Sequence, residues 1–108
     1  MKERPKKTRL KKTASREQHY VLRLYVAGIT PRSSAAIRSI TDICSTHLEG
    51  RCDLEVIDIY QQPALAKRDQ IVAVPTLIKN QPAPVRRFIG NLTDQNRILA
   101  GLDIRPKE

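Results

Sequence analysis

The sequence predicts an α/β domain with the element order βαβαββα, and three observations carry the prediction. Short β-branched runs at 20–26 and 53–60 flank a long amphipathic stretch at 31–48, the pattern of two strands joined by a crossover helix. Two further apolar runs, 71–78 and 85–89, stand on either side of a proline-broken turn and make a hairpin. The last stretch, 91–102, brings apolar residues back to helical spacing.

The first strand, Y-V-L-R-L-Y-V, is apolar except for Arg23, as expected of a central strand covered on both faces. Thr30 with Pro31 reads as an N-cap followed by proline in the first helical turn. Ala36, Ile40, Ile43, Cys44 and His47/Leu48 then give the helix one buried stripe. Glu49-Gly50-Arg51 stops it, with Gly50 as a left-handed cap. A helical crossover makes the strands at 20–26 and 53–60 parallel. Pro63 suits the start of a short segment at 64–70. In the hairpin, Pro75, Pro82 and Pro84 remove three backbone donors and hold φ at about −65°. Such prolines belong at strand starts and edges, which places this pair at a sheet margin, and each X-Pro bond can adopt cis and exchange slowly. In the final helix Thr93 is the N-cap candidate, Asp94 lies in the first turn, and Ile98, Leu99 and Leu102 make the buried stripe. With a proline directly before the third strand, at Val74-Pro75-Thr76, the order is the thioredoxin-like pattern.

A chain of 108 residues is one domain. It is 40% hydrophobic but only 4% aromatic, so its core is aliphatic. No apolar run approaches the roughly 20 residues of a membrane span, and the basic start has no apolar signal core. A soluble, cytoplasmic protein is expected, with no membrane partner. The net charge of +9 is uneven: residues 1–19 hold eight Lys or Arg against two Glu, and the remainder twelve against nine. This divides the chain into a basic disordered extension (1–19), a folded domain (20–104) and a short tail (105–108). Basic arms can attract phosphate, but this one has no interleaved aromatics for bases to stack on, and nucleic acid is not the expected partner.

Chemistry is hard to find in these residues. A thioredoxin-like fold places its reactive dithiol at the turn between first strand and first helix, here Thr30-Pro31-Arg32-Ser33, and that turn has no sulfur. Cys44 and Cys52, eight positions apart, have neither a redox C-x-x-C nor a zinc spacing. They read as small buried hydrophobes, with a disulfide left open. Ser33 and Ser34 have no evident base, since His47 is a helix length away and His19 borders the extension. Asp53, Glu55 and Asp58 read as strand-face charges and not as a metal cage. The expectation is a binding domain, not an enzyme, with no catalytic residue, no cofactor and no metal.

The motifs A-G-x-T-P-x-S at 27–33 and P-V-R-R-x-I-G at 84–90, with L-E-V-I-D-I, P-T-L-I-K and G-L-D, resemble the KaiB family of circadian-clock proteins over 20–104. The resemblance implies a non-enzymatic timing protein that docks on the hexameric ring ATPase KaiC and regulates its phosphorylation and signalling cycle. It also implies a metamorphic chain: the thioredoxin-like state binds KaiC, and a fold-switched βαββααβ state of the C-terminal half forms a dimer or tetramer. KaiA or a histidine kinase are further partners in this picture. The alternative is a stress-response adaptor that works with KaiC without KaiA and without a daily rhythm.

Matched residue by residue, Thr76, Lys79, Arg86 and Arg87 correspond to positions linked to partner contact. Tyr20, Gly101 and Asp103 correspond to positions that influence which fold is populated, and Pro75, Pro82 and Pro84 join them as candidates for slow exchange. Part of this has a physical basis. Glycine in a helix interior costs roughly 1 kcal/mol relative to alanine, so Gly101→Ala is expected to favour the thioredoxin-like state. Asp103 opposes the helix dipole. The sequence departs from the family at Ala83, which interrupts a proline run, in the basic extension, and in ending at Lys107-Glu108 without an acidic tail.

Overall fold

The structure, a computed structural model, describes residues 19–104; the expectations for the basic extension and the tail lie outside these residues, His19 apart. The elements are β1 (Tyr20–Val26), α1 (Pro31–His47), β2 (Cys52–Asp58), α2 (Pro63–Arg68), β3 (Thr76–Gln81), β4 (Arg86–Ile89) and α3 (Gln95–Gly101). This is the expected βαβαββα order. The four strands form one sheet in the order β2-β1-β3-β4. β1 runs parallel to β2 with Tyr20 opposite Cys52 and Val26 opposite Asp58, and antiparallel to β3. β4 closes the sheet antiparallel to β3, with Leu77 opposite Phe88 and Lys79 opposite Arg86.

The pleat divides the side chains between two cores. Tyr20, Leu22, Leu24, Val26, Leu77 and Phe88 face α1 and α3, where they pack with Ala36, Ile40, Ile43, Leu48, Ile98, Leu99 and Leu102. Tyr25, Ile57 and Ile78 face the opposite way, against Leu65 and Ala66 of α2 and the loop residues Ile71 and Val74. β1 is therefore covered on both faces, as its apolar run requires. α1 starts as read from sequence: Pro31 is in the first turn and the Thr30 hydroxyl accepts from Ser33 N–H at 3.0 Å. Gly50 holds φ +75° after its end.

Several boundaries differ from the sequence reading. The run 71–78 is not one strand: Ile71 N–H donates to Ala66 O at 2.9 Å, finishing the α2 turn, and pairing begins only at Thr76, past Pro75. β3 is interior, so of the hairpin only β4 lies at the margin. The prolines are compatible with this because Pro75 precedes the ladder and Pro82 and Pro84 follow it. β2 stops at Asp58, whose side chain accepts from Tyr60 N–H at 2.8 Å and Gly28 N–H at 3.3 Å. α3 begins at Gln95, and its N-cap is Asp94, accepting from Arg97 N–H, in place of Thr93. Thr93 instead donates its N–H to the Asn91 side chain, a local turn that competes with helix.

Candidate functional site

In this fold the turn after β1 faces the proline before β3. Arg32 and Ala36 from α1, Pro75, and Gly90, Leu92 and Thr93 line a cavity of about 270 Å³ there. Its walls carry no thiol. Both cysteines lie elsewhere, at the end of α1 and the start of β2, half-buried and not fully buried as read from sequence. Ser33 is buried. His19 is exposed and its Nε2 lies 3.0 Å from an Asp53 carboxylate oxygen. Among the described residues no group of three His, Cys, Asp or Glu side chains converges.

The four residues matched to partner contact divide by face. Arg86 and Arg87 are exposed on β4, the open margin of the sheet. Arg87 donates to the backbone carbonyls of Asp69 and Gln70 and so leans toward α2; Arg86, its neighbour, points to the other side. Thr76 and Lys79 are each only 1% exposed. The Thr76 hydroxyl donates to Ala73 O at 2.6 Å, and Lys79 shares a sheet face with Leu77 and Phe88. In this arrangement, then, the arginines are exposed at the sheet edge, whereas Thr76 and Lys79 are buried.

Three of the six candidates for fold choice, Tyr20, Gly101 and Asp103, come together at the C-terminal end of α3. Tyr20 is buried and its hydroxyl donates to Leu102 O at 2.9 Å, tying the first strand to the last helix. Burial raises its pKa, with Arg51 opposing and Asp103 adding to the rise. Asp103 has φ +60°, a left-handed conformation that strains a residue with a side chain. Its N–H bonds Ala100 O and the next N–H, of Ile104, bonds Leu99 O, so it occupies the position where helices usually place glycine. Gly101 sits two residues back, beneath Phe88: a Cβ there would lie 2.2 Å from the ring's Cε2 and 2.8 Å from its Cζ. A methyl at this position would press on the Phe88 ring, a cost that helix propensity alone leaves out. Pro75 is buried, and Pro82 and Pro84 are at the β3–β4 turn, remote in sequence from this end; the Val74-Pro75, Gln81-Pro82 and Ala83-Pro84 bonds are cis.

One cluster was missed in the sequence. Asp69 accepts from Arg23 Nη1 at 3.2 Å, from Arg68 Nε at 3.2 Å and from the Tyr25 hydroxyl. The Tyr25 hydrogen bond, with the two cations, holds the Asp69 carboxyl below its ordinary range against the effect of burial. Burial first, and Asp69 second, raise Tyr25. Arg23, the one charge in an apolar strand, was the available signal, because a charge on a covered strand needs a partner.

The residues 23–104 match the KaiB domain family model. The chain is 49% identical to the circadian clock oscillator protein KaiB of Synechococcus sp. (strain RCC307) over 89 residues, which are 82% of this chain and 81% of that one. The KaiB of Acaryochloris marina is likewise 49% identical, over 82% of this chain and 86% of its own. Among solved structures, the N-terminal domain of Synechococcus elongatus SasA superposes with TM-score 0.65 at 26% identity, covering 81% of this chain and 86% of that one. Mitochondrial thioredoxin 3 of Saccharomyces cerevisiae superposes with TM-score 0.64 at 13% identity, covering 87% and 88%, a likeness of fold alone. A thioredoxin-like fold with no thiol at the 30–33 turn, and clock proteins as relatives across nearly all of the described chain, lead to one statement: this chain belongs to the KaiB family.

Proposed function

We propose that the chain is a non-enzymatic timing protein that docks on a KaiC-type ring ATPase through the β4 margin. The observation that carries this is the pair Arg86 and Arg87, exposed side by side on an open edge strand. Successive strand residues point to opposite faces, so the pair offers two cations that straddle the edge, with unpaired backbone donors and acceptors between them. An acidic strand or loop on the ATPase ring is the complementary surface. The absence of sulfur at Thr30–Ser33 supports binding without turnover. The likeness to the SasA domain supports the present arrangement as one that a related chain also adopts.

The second part of the proposal is that the C-terminal half exchanges with another packing that assembles as a dimer or tetramer. Asp103 in a left-handed conformation supports it, because the strain lowers the stability of this arrangement relative to any rival. A scarce docking-competent state lowers apparent affinity by its population, which makes slow capture usable as a timer. KaiA or a histidine kinase would read the resulting complex. The clock names of the relatives favour this reading over a stress-response adaptor.

Size-exclusion chromatography with the cognate KaiC homologue and ATP, after a day of incubation, tests the docking. Co-elution of the unaltered chain and its loss in Arg86→Glu/Arg87→Glu are expected. A complex that forms equally well with the double variant would remove β4 from the interface, and no complex with the unaltered chain would overturn the function.

A further inference from the structure

Cys44 and Cys52 lie in the N-terminal half, at the sheet margin opposite the docking edge. Cys44 is in the last turn of α1 and Cys52 opens β2. Their Sγ atoms are 2.7 Å apart, which leaves no room for a third atom between them. The loop joining them is held from several sides. Leu48, fully buried, donates its N–H to Cys44 O at 3.2 Å; Arg51 N–H donates to Leu48 O at 2.8 Å; and Arg51 O accepts from Tyr20 N–H at 2.7 Å. Arg51 Nη2 also donates to His47 O at 3.2 Å. Both cysteines pack against the main core while remaining half-buried.

The two thiols are not equivalent. Cys44 sits at the carbonyl end of α1, where the helix dipole disfavours a thiolate. Its hydrogen bond to Cys52, and then burial, push the Cys44 thiol up. The same hydrogen bond holds Cys52 below the usual thiol range, with burial and the neighbouring Asp53 carboxylate opposing. With the helix end also acting on Cys44, Cys52 is the better placed of the two to ionise.

We propose that Cys44 and Cys52 form a reversible dithiol–disulfide pair that takes small hydroperoxides as its oxidant, with Cys52 attacking and Cys44 resolving. The Cys52 thiolate attacks one peroxide oxygen, the O–O bond breaks, and hydroxide leaves to be protonated to water, giving a sulfenic acid on Cys52. The Cys44 sulfur then attacks Sγ of Cys52, the S–O bond breaks, and the departing oxygen takes the Cys44 proton and leaves as a second water. Two thiols and one hydroperoxide become one disulfide and two waters (one water and an alcohol for an alkyl hydroperoxide), with both sulfurs oxidised and both peroxide oxygens reduced. A bond of about 2.05 Å is within reach of a small side-chain adjustment. A dithiol reductant reverses the reaction by exchange. The site is separate from the thioredoxin-like turn and does not depend on KaiC docking.

The test uses the full chain with a small excess of hydrogen peroxide, after which free thiols are alkylated and the chain is digested with trypsin without reduction. The expected product joins the peptides 39–51 and 52–67, lighter by two hydrogens than their sum, and separates under dithiothreitol. With Cys44→Ser, a dimedone adduct is expected on Cys52; with Cys52→Ser, Cys44 should react about tenfold more slowly or less. Disulfides between two copies, or sulfinic acid on each cysteine with no joined peptide, would overturn the pair. Equal dimedone capture at the two single-variant cysteines would overturn the assignment of roles. Peptide mapping of the unaltered chain decides the first question even if a variant fails to fold.

Discussion

The two halves of this domain are built differently. The first, β1–α1–β2, has a 17-residue helix capped by Thr30 and two seven-residue strands paired in unbroken parallel register. The second, α2–β3–β4–α3, has elements of six, six, four and seven residues, and contains the two non-glycine residues with positive φ among those described, Gln70 and Asp103. α2 has no side-chain N-cap. Helices this short are marginal by themselves and take their state from tertiary contacts. The first half is thus set by local preference and core burial acting together, whereas the second relies on core burial by Leu77, Phe88, Ile98, Leu99 and Leu102 and on a few long-range ties: Tyr20 to Leu102, Gln95 to Ser39 and Asp42, and Asp69 to Arg23 and Tyr25.

Four variants break or sharpen this contrast. The largest effect is expected of Ile40→Ala, which empties a fully buried position in α1 and should cost about 3 kcal/mol in urea unfolding, taking both halves down in one transition. Survival of the first half in that variant would contradict the contrast.

Asp69→Asn removes the negative charge shared by Arg23, Arg68 and Tyr25 and one of its two acceptor oxygens, and should cost about 2 kcal/mol at neutral pH, concentrated in the second half by hydrogen exchange. Because the folded carboxyl titrates below its ordinary value, its contribution is fully present above the unfolded value of about 3.9. It is lost as pH falls from there through the lower folded value. The acid limb of the stability curve should therefore be shallower in Asp69→Asn, and an unchanged limb would show that the cluster is not coupled to folding.

Gly101→Ala sets helix propensity against sterics. The propensity gain is roughly 1 kcal/mol, but forcing a methyl against the Phe88 ring costs about 1–3 kcal/mol. A net loss of about 1 kcal/mol for this arrangement is expected, read from amide-spectrum populations, and Phe88→Leu should restore the gain by clearing the space. If Gly101→Ala instead enriches the thioredoxin-like state with Phe88 intact, the ring yields more easily than its packing suggests.

The smallest effect is expected of Asp103→Gly, which relieves the left-handed strain and removes a negative charge from the end of α3. A stabilisation of about 0.5–1 kcal/mol, seen as slower hydrogen exchange in α3 with β2 unchanged, would localise the weakness of the second half to this one turn.

The sequence by itself determined the element order, the start of α1, the covered centre at β1 and the missing sulfur at the 30–33 turn. Each of these rests on local patterns: a cap beside a proline, an apolar run, a residue type at a known turn. Only the tertiary structure decided that Thr76 and Lys79 are buried while Arg86 and Arg87 are presented, because facing depends on which strand pairs on which side. It alone brought Asp69 to Arg23 and Tyr25 across more than forty positions, set Phe88 over Gly101, and put Cys44 against Cys52. The physical reason is common to all of them: a side chain's neighbours in space are chosen by how sheets and helices stack, and spacing along the chain carries no record of that choice.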